Sequence, residues 1–277
     1  MKADCHIHMV LDGYNWRDAI ARHTEKPDEA FIRQALSRYQ EMGYTYLRDG
    51  GDRWGVGKKA RELAPEYGIT YRTPLSPLHR KDHYGGFIGT AYETLKEFTR
   101  LVVRTKEAGG DFIKIMISGL MDFNQFGVLT EPGLPDGEIR QLIHIAHGEG
   151  MAVMVHANGA RTVEAAASAG VESVEHGAYL DADALAAMEE MGTVWVPTLS
   201  TVANLRGTGR FSESDVEKIL ESTKENLANY KGLVAPGTDA GAWAVPHGIC
   251  SEEALLGEIG IGPDRLEDGI CRIQEIF

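Results

Sequence analysis

Cysteine is scarce in this sequence of 277 residues: Cys5, Cys250 and Cys271 are too few and too scattered for a disulfide frame or a CxxC zinc site. A reducing cytoplasm is the expected location. There is also no run of about 20 apolar residues and no basic leader followed by an apolar stretch, so neither export nor a membrane span is expected. Basic residues are outnumbered, with 28 Lys and Arg against 41 Asp and Glu for a net charge of −13. That is the wrong sign for a nucleic-acid face and disfavours an anionic membrane. No low-complexity segment, repeat or linker-like break divides the chain. What is present is ordinary: 43% hydrophobic and 25% charged residues suit a domain with a sizeable core.

Apolar periodicity alternates between strand and helix along the chain. A strand at 3–8 is followed by a polar loop at 9–26. Pro27-Asp28-Glu29 then starts a helix that Gly43 stops. Further strands are expected at 44–49, 69–75, 111–117, 151–156, 171–176, 193–198 and 233–239. Helices are expected near 56–66, 91–108, 136–149, 160–169, 182–191, 212–230 and 251–259, with long loops at 76–90 and 118–135. Residues 111–117 (DFIKIMI) form a nearly continuous apolar run, the mark of a strand buried on both faces. Eight strands each followed by a helix predict parallel pairing through right-handed crossovers. In this length they predict a closed (β/α)8 TIM barrel as a single domain over 1–277, with chemistry at the C-terminal strand ends. A doubly wound open sheet is the alternative.

The polar residues test that expectation. On an extended strand Asp4, His6 and His8 share one face, and Cys5 and Ile7 the other. Two imidazoles two residues apart can reach one cation. At later strand ends stand Lys114, His156, His176 and Asp239, each interrupting or ending an apolar run. One histidine at a strand end is usually an ordinary hydrogen-bonded residue, but this set converging on one barrel mouth predicts a metal site. Lys114 has two readings. Its ammonium offers no acceptor and would repel a cation, so it is either paired with a carboxylate such as Asp4 or Asp239, or it has reacted with carbon dioxide. The resulting carbamate would be an anionic ligand able to bridge two metals. Charge balance favours it, because two divalent cations would otherwise sit poorly screened in a low-dielectric pocket.

DCHIH, DFIKIM, VMVHANG, VEHG and APGTDAG, in that order, resemble the strand one, four, five, six and eight signatures of the amidohydrolase superfamily. GYTYLRDGG, VPTLS and the Pro246-His247 pair after TDAG resemble its imidazolonepropionase- and prolidase-like branch. The likeness runs from Asp4 to about Gly248. It implies that His6, His8 and Asp239 hold the more buried of two metals, that His156 and His176 hold the more exposed one, and that carboxylated Lys114 bridges both. It also implies a β-sandwich built from both termini, for which this sequence leaves little room. A bare barrel is therefore expected, with a homo-oligomer as one way to replace what the sandwich contributes.

A hydroxide shared by two divalent ions is a nucleophile at neutral pH. The expectation is a metal-dependent hydrolase cleaving the C–N bond of a small amide, such as a dipeptide or N-acyl amino acid, with Asp239 moving the proton. Lactones, esters and cyclic amides are close rivals; a deaminase and a non-catalytic metal-stabilised scaffold are further ones. Zinc, manganese, iron and cobalt all suit the donors. Among loop residues, His83 or Tyr84 is expected to meet the developing oxyanion, and His247 to orient substrate or a ligand. Cys5 is expected in the core and Asp4 in support of a ligand or of Lys114. His144 and His147 are assigned to a helix C-terminus.

Overall fold

The computed structural model describes residues 2–249 and 251–277, so Cys250 lies outside the described residues. Cys5 is buried, Cys271 is exposed, and both are free. The elements run β1 (Ala3–Ile7), α1 (Trp16–Ala21), α2 (Glu29–Glu41), β2 (Tyr46–Asp49), α3 (Val56–Leu63), β3 (Thr70–Arg72), β4 (Leu78–Arg80), β5 (Thr90–Tyr92) and α4 (Leu95–Glu107). They continue with β6 (Ile113–Met116), α5 (Asp136–Gly148), β7 (Val153–Ala157), α6 (Ala160–Ser168), β8 (Ser173–His176), α7 (Ala182–Met191), β9 (Val194–Val196), α8 (Leu199–Ala203), α9 (Glu213–Asn229), α10 (Glu252–Glu258) and α11 (Pro263–Ile276).

Among the described residues the named strands pair in parallel throughout, in the orders β1-β2-β3 and β5-β4-β6-β7-β8-β9. The eighth expected strand, 233–239, joins the two ends through single bridges rather than a full ladder. Val234 bridges Trp195 of β9, and Ala240 bridges Ile7 of β1. Cys5 N donates to Pro236 O at 2.8 Å and Asp239 N to His6 O at 2.8 Å, completing a (β/α)8 barrel.

The third barrel strand departs from expectation. It is split into β3 and β4 around Pro74 and Pro77, which lack the N–H a ladder needs. Residues 76–90, read as a loop, therefore contain β4 and lead into the edge strand β5. The following helix starts at Leu95 rather than 91, because Thr94 caps it by accepting from Glu97 N. Likewise Asp28, not Pro27, fixes the start of α2, accepting from Ala30 N and Phe31 N. Helix α11 was not anticipated, although Pro263 at its first turn is an ordinary start signal.

Strand parity divides the interior. Tyr46, Phe112, Met154 and Val196 pack with Cys5 into a lower layer closed by Ile270, Ile273 and Phe277 of α11. The residues two positions further along β2, β6 and β7 are Arg48, Lys114 and His156, so the apolar floor gives way upward to charge. The odd residues Ile113, Ile115, Val153 and Val155, and the even Val174 of β8, face the helices. The register between β1 and β2 slips between Asp4 and Ile7. Cys5 accordingly packs in the lower layer while Ile7 packs with Ile32 and Leu36 of α2, so the two do not share a face as simple alternation predicted.

Candidate metal centre at the barrel mouth

His6, His8 and Asp239 bring three donor atoms within 4.8 Å of one another, all buried. His6 Nε2 lies 3.3 Å from His8 Nε2 and 3.5 Å from Asp239 Oδ1, and His8 Nε2 lies 3.2 Å from the same oxygen. His6 Nδ1 faces Glu175 Oε2 at 2.5 Å and so donates its proton there. Its Nε2 therefore turns a lone pair on a carboxylate oxygen, an arrangement that a cation relieves. Three donors about 2.0–2.1 Å from a tetrahedral ion stand about 3.3 Å apart, matching this triangle.

The network beneath the triangle was not foreseen. Arg48 and Glu175 are fully buried; Arg48 donates to Glu175 Oε1 at 2.8 Å, to Ser173 Oγ at 2.9 Å and to Cys5 O at 2.7 Å. Phe277 lies under the guanidinium at 4.6 Å. Burial alone would raise the Glu175 carboxyl, but Arg48 and His6 hold it down at about 2. A permanent anion thus fixes the His6 tautomer, the usual device behind a ligating histidine. Burial, reinforced by Lys114, lowers His6 to about 4, leaving its ring neutral.

Lys114 Nζ is buried with no hydrogen-bond partner among the described residues, so the pairing with Asp4 or Asp239 is not formed. Burial pulls its amine down to about 8, favouring the neutral form that reacts with carbon dioxide. Asp4 instead accepts from Thr238 N at 2.9 Å, from Thr238 Oγ1 at 2.5 Å and from His6 N at 3.3 Å. It holds the backbone on either side of the closure and does not reach Lys114.

His156 and His176 adjoin the triangle without joining it: their rings are 4.6 Å apart, and His176 is 5.1 Å from His6. His156 Nε2 lies 3.2 Å from Gly119 O, leaving Nδ1 as its free donor atom. His176 Nδ1 lies 2.7 Å from Thr198 Oγ1, leaving Nε2. Burial lowers both, His156 to about 3, so both are neutral. Thr201 Oγ1 donates to Asp239 Oδ2 at 3.1 Å, which points Oδ1 into the triangle. His176, Thr198 and Asp239 all have positive φ, of 68°, 50° and 57°, so the strand ends are held in strained backbone. Gly50 is required here, since a Cβ on it would stand 2.4 Å from His8 Cε1.

These groups floor a cavity of about 380 Å³ whose walls include Trp16, Tyr84, Phe87, Phe123, Phe211 and Trp243. Tyr84 stacks 4.7 Å from His156. Of the other loop residues expected at substrate, His83 sits 3.6 Å from Glu131 outside the lining. His247 is buried with Nδ1 on Tyr39 OH and Nε2 on Leu11 O, both at 3.0 Å, which leaves it no free nitrogen for substrate. His147 lies 3.1 Å from Glu172, away from the mouth, and His144 is exposed.

The chain is 28% identical over 245 residues to an uncharacterized protein of Mycobacterium tuberculosis, covering 84% of this chain and 64% of that one. It is 26% identical over 276 residues to the ochratoxinase of Aspergillus niger, covering 84% and 55%. It thus spans about half to two thirds of the length of these curated relatives. The crystal structure of a Xaa-Pro dipeptidase with bound methionine superposes with a TM-score of 0.73 at 23% identity, covering 99% of this chain and 72% of the other. The A. niger ochratoxinase structure does so at 0.76 and 20%, covering 99% and 69%. These likenesses show the barrel. The profile of the amidohydrolase family matches residues 3–249, from the strand of His6 and His8 to beyond Asp239, and the chain belongs to that family.

Proposed function

We propose that this barrel is a single hydrolytic unit that cleaves a carbon–nitrogen amide bond in a small apolar substrate at a two-metal centre. The observation carrying the reading is the triangle of His6 Nε2, His8 Nε2 and Asp239 Oδ1 at 3.2–3.5 Å, beside a buried Lys114 amine without a partner. His6, His8 and Asp239 would hold one ion and His156 and His176 the other, with Lys114 as a carbamate between them. Two divalent ions there would lower the pKa of water and polarise a carbonyl. The relatives' names, ochratoxinase and Xaa-Pro dipeptidase, support C–N hydrolysis.

The chain's own groups supply the rest. Asp239, steadied through Oδ2 by Thr201, takes the proton of the attacking water and delivers it to the leaving nitrogen. The C–O bond forms, the C–N bond breaks, and the amine leaves protonated. Burial pushes the Tyr84 phenol up, so it stays a hydrogen-bond donor to the carbonyl oxygen as negative charge develops. The aromatic walls keep bulk water from the reacting atoms.

The test is hydrolysis of a panel of dipeptides, N-acyl amino acids, esters, lactones and aminated heterocycles by metal-loaded protein. Asp239→Asn should keep the fold and much of the metal, yet lose about 10²–10⁴-fold in kcat on amides. Amide turnover that survives this change, or that needs no metal, would sink the reading. Ammonia release would favour the deaminase.

A further inference from the structure

Among the described residues, Asp239 is the single carboxylate lining the cavity, and apart from Lys114 the single cationic side chain in its walls is Arg210. Arg210 is exposed, and its guanidinium makes no hydrogen bond or ion pair among the described residues. It lies over the Trp243 ring at 4.2 Å and the Phe211 ring at 5.3 Å. The acids nearby in sequence are occupied elsewhere: Glu213 accepts from Gly207 N at 2.9 Å, and Glu217 lies 3.8 Å from Arg206. In a chain with net charge −13, an arginine without an acid partner among the described residues, stacked at the lip of an apolar cavity, has its donors available to an anion.

The aromatic walls give the rest of the ligand. Phe123 meets Phe211 at 5.2 Å, and Phe211 meets Trp243 at 5.8 Å, forming a wall that ends at the guanidinium. A second series of ring contacts runs from Trp16 to Phe87 at 5.9 Å, Phe87 to Tyr84 at 5.7 Å and Tyr84 to His156 at 4.7 Å, from the rim down to the metal centre. A cavity of about 380 Å³ is at the small end of those that enclose a drug-sized ligand. We propose that the cavity selects amides carrying a bulky apolar or aromatic side chain and a free carboxylate, with Arg210, stacked on Trp243 and Phe211, binding the carboxylate. This rests on the amide-hydrolysis reading for turnover but not for binding.

The experiment uses matched probes, N-acetyl-L-phenylalanine, its carboxamide and N-acetyl-L-alanine, with wild-type, Arg210→Met and Arg210→Lys proteins of confirmed far-UV circular dichroism. Each probe is measured by calorimetric binding and, where it is turned over, by kcat and KM. Wild type should favour the carboxylate over the carboxamide about 10- to 100-fold, through Kd and KM rather than kcat, and phenylalanine over alanine. Arg210→Met should bring the carboxylate-to-carboxamide ratio near one, and Arg210→Lys should keep part of it. Equal binding of the two probes by wild type, or an unchanged ratio in Arg210→Met, overturns the proposal. Selective binding without amide turnover would leave Arg210's role standing and count against amide hydrolysis alone.

Discussion

Glu175 shows how much of the proposed metal centre resides in residues that would not touch a metal. It accepts from Arg48, Ser173 and His6 at once, so its charge is balanced and its geometry fixed. Glu175→Gln keeps the shape but presents an amide that must choose which neighbour to serve. It removes the anion that holds His6 in the Nδ1–H form and leaves Arg48 a buried charge without its partner. We expect divalent-metal affinity to fall about 10- to 100-fold, read by competition with a chromophoric chelator. Stability should fall as well, by about 3–5 kcal/mol in a urea melt, because one partner of a buried pair is lost. Unchanged metal affinity would show that Glu175 serves the fold alone. The proposed ligands stand out in the sequence because each interrupts or ends an apolar run at a strand end. Glu175 does not, because it reads as one more residue of VEH. Its partner Arg48 stands 127 positions away, and only the closed barrel brings the two together.

At the scale of elements, the strand and helix order could be read from periodicity, whereas the devices that aim the ligands could not. Proline splits the third strand, a register slip in β1 redirects Cys5, and left-handed turns end β8 and precede α8. None of these leaves a periodic trace. Helix α8 illustrates the cost of aiming a ligand. Its N-cap residue Thr198 makes no cap hydrogen bond, since its hydroxyl serves His176. The helix is capped from α10 instead, where Glu252 accepts from Leu199 N at 2.9 Å and from Ser200 N and Oγ at 2.7 Å. Burial raises the Glu252 carboxyl from 4.5 to about 7 despite those donors. Between those values the folded state keeps a proton that the unfolded state releases. Stability from this group is therefore full below pH 4.5 and is lost as pH rises to about 7, by at most about 3 kcal/mol. Glu252→Gln cannot titrate, so its urea midpoint should change less between pH 5 and 7.5 than that of wild type. Parallel pH profiles for the two proteins would refute this role.

For the whole molecule, the proposed donors lie at positions 6, 8, 114, 156, 176 and 239, so a loaded centre would tie the first barrel strand to the last. That matters because 233–239 closes the barrel by isolated bridges and a few backbone hydrogen bonds rather than a continuous ladder. At the closure His6 Nε2 faces Asp239 Oδ1 at 3.5 Å. A metal held there would bind the folded state and have no such site in the unfolded chain, so an ion present at 1,000 times its Kd would add about 4 kcal/mol. In a domain of this size that amounts to a rise in Tm on the order of 10 °C. Chelation, with metal loss verified by elemental analysis, should lower Tm accordingly, and zinc or manganese should restore it. A carbamate on Lys114, as proposed, would make the restoration depend on carbon dioxide. In carbonate-free buffer the triangle of His6, His8 and Asp239 should still take one ion, while the second should return only when bicarbonate is added. Two ions bound without bicarbonate would assign Lys114 a different part. A Tm indifferent to chelation would mean that the barrel closes by its own packing, with α11 beneath it, and that the centre serves chemistry alone.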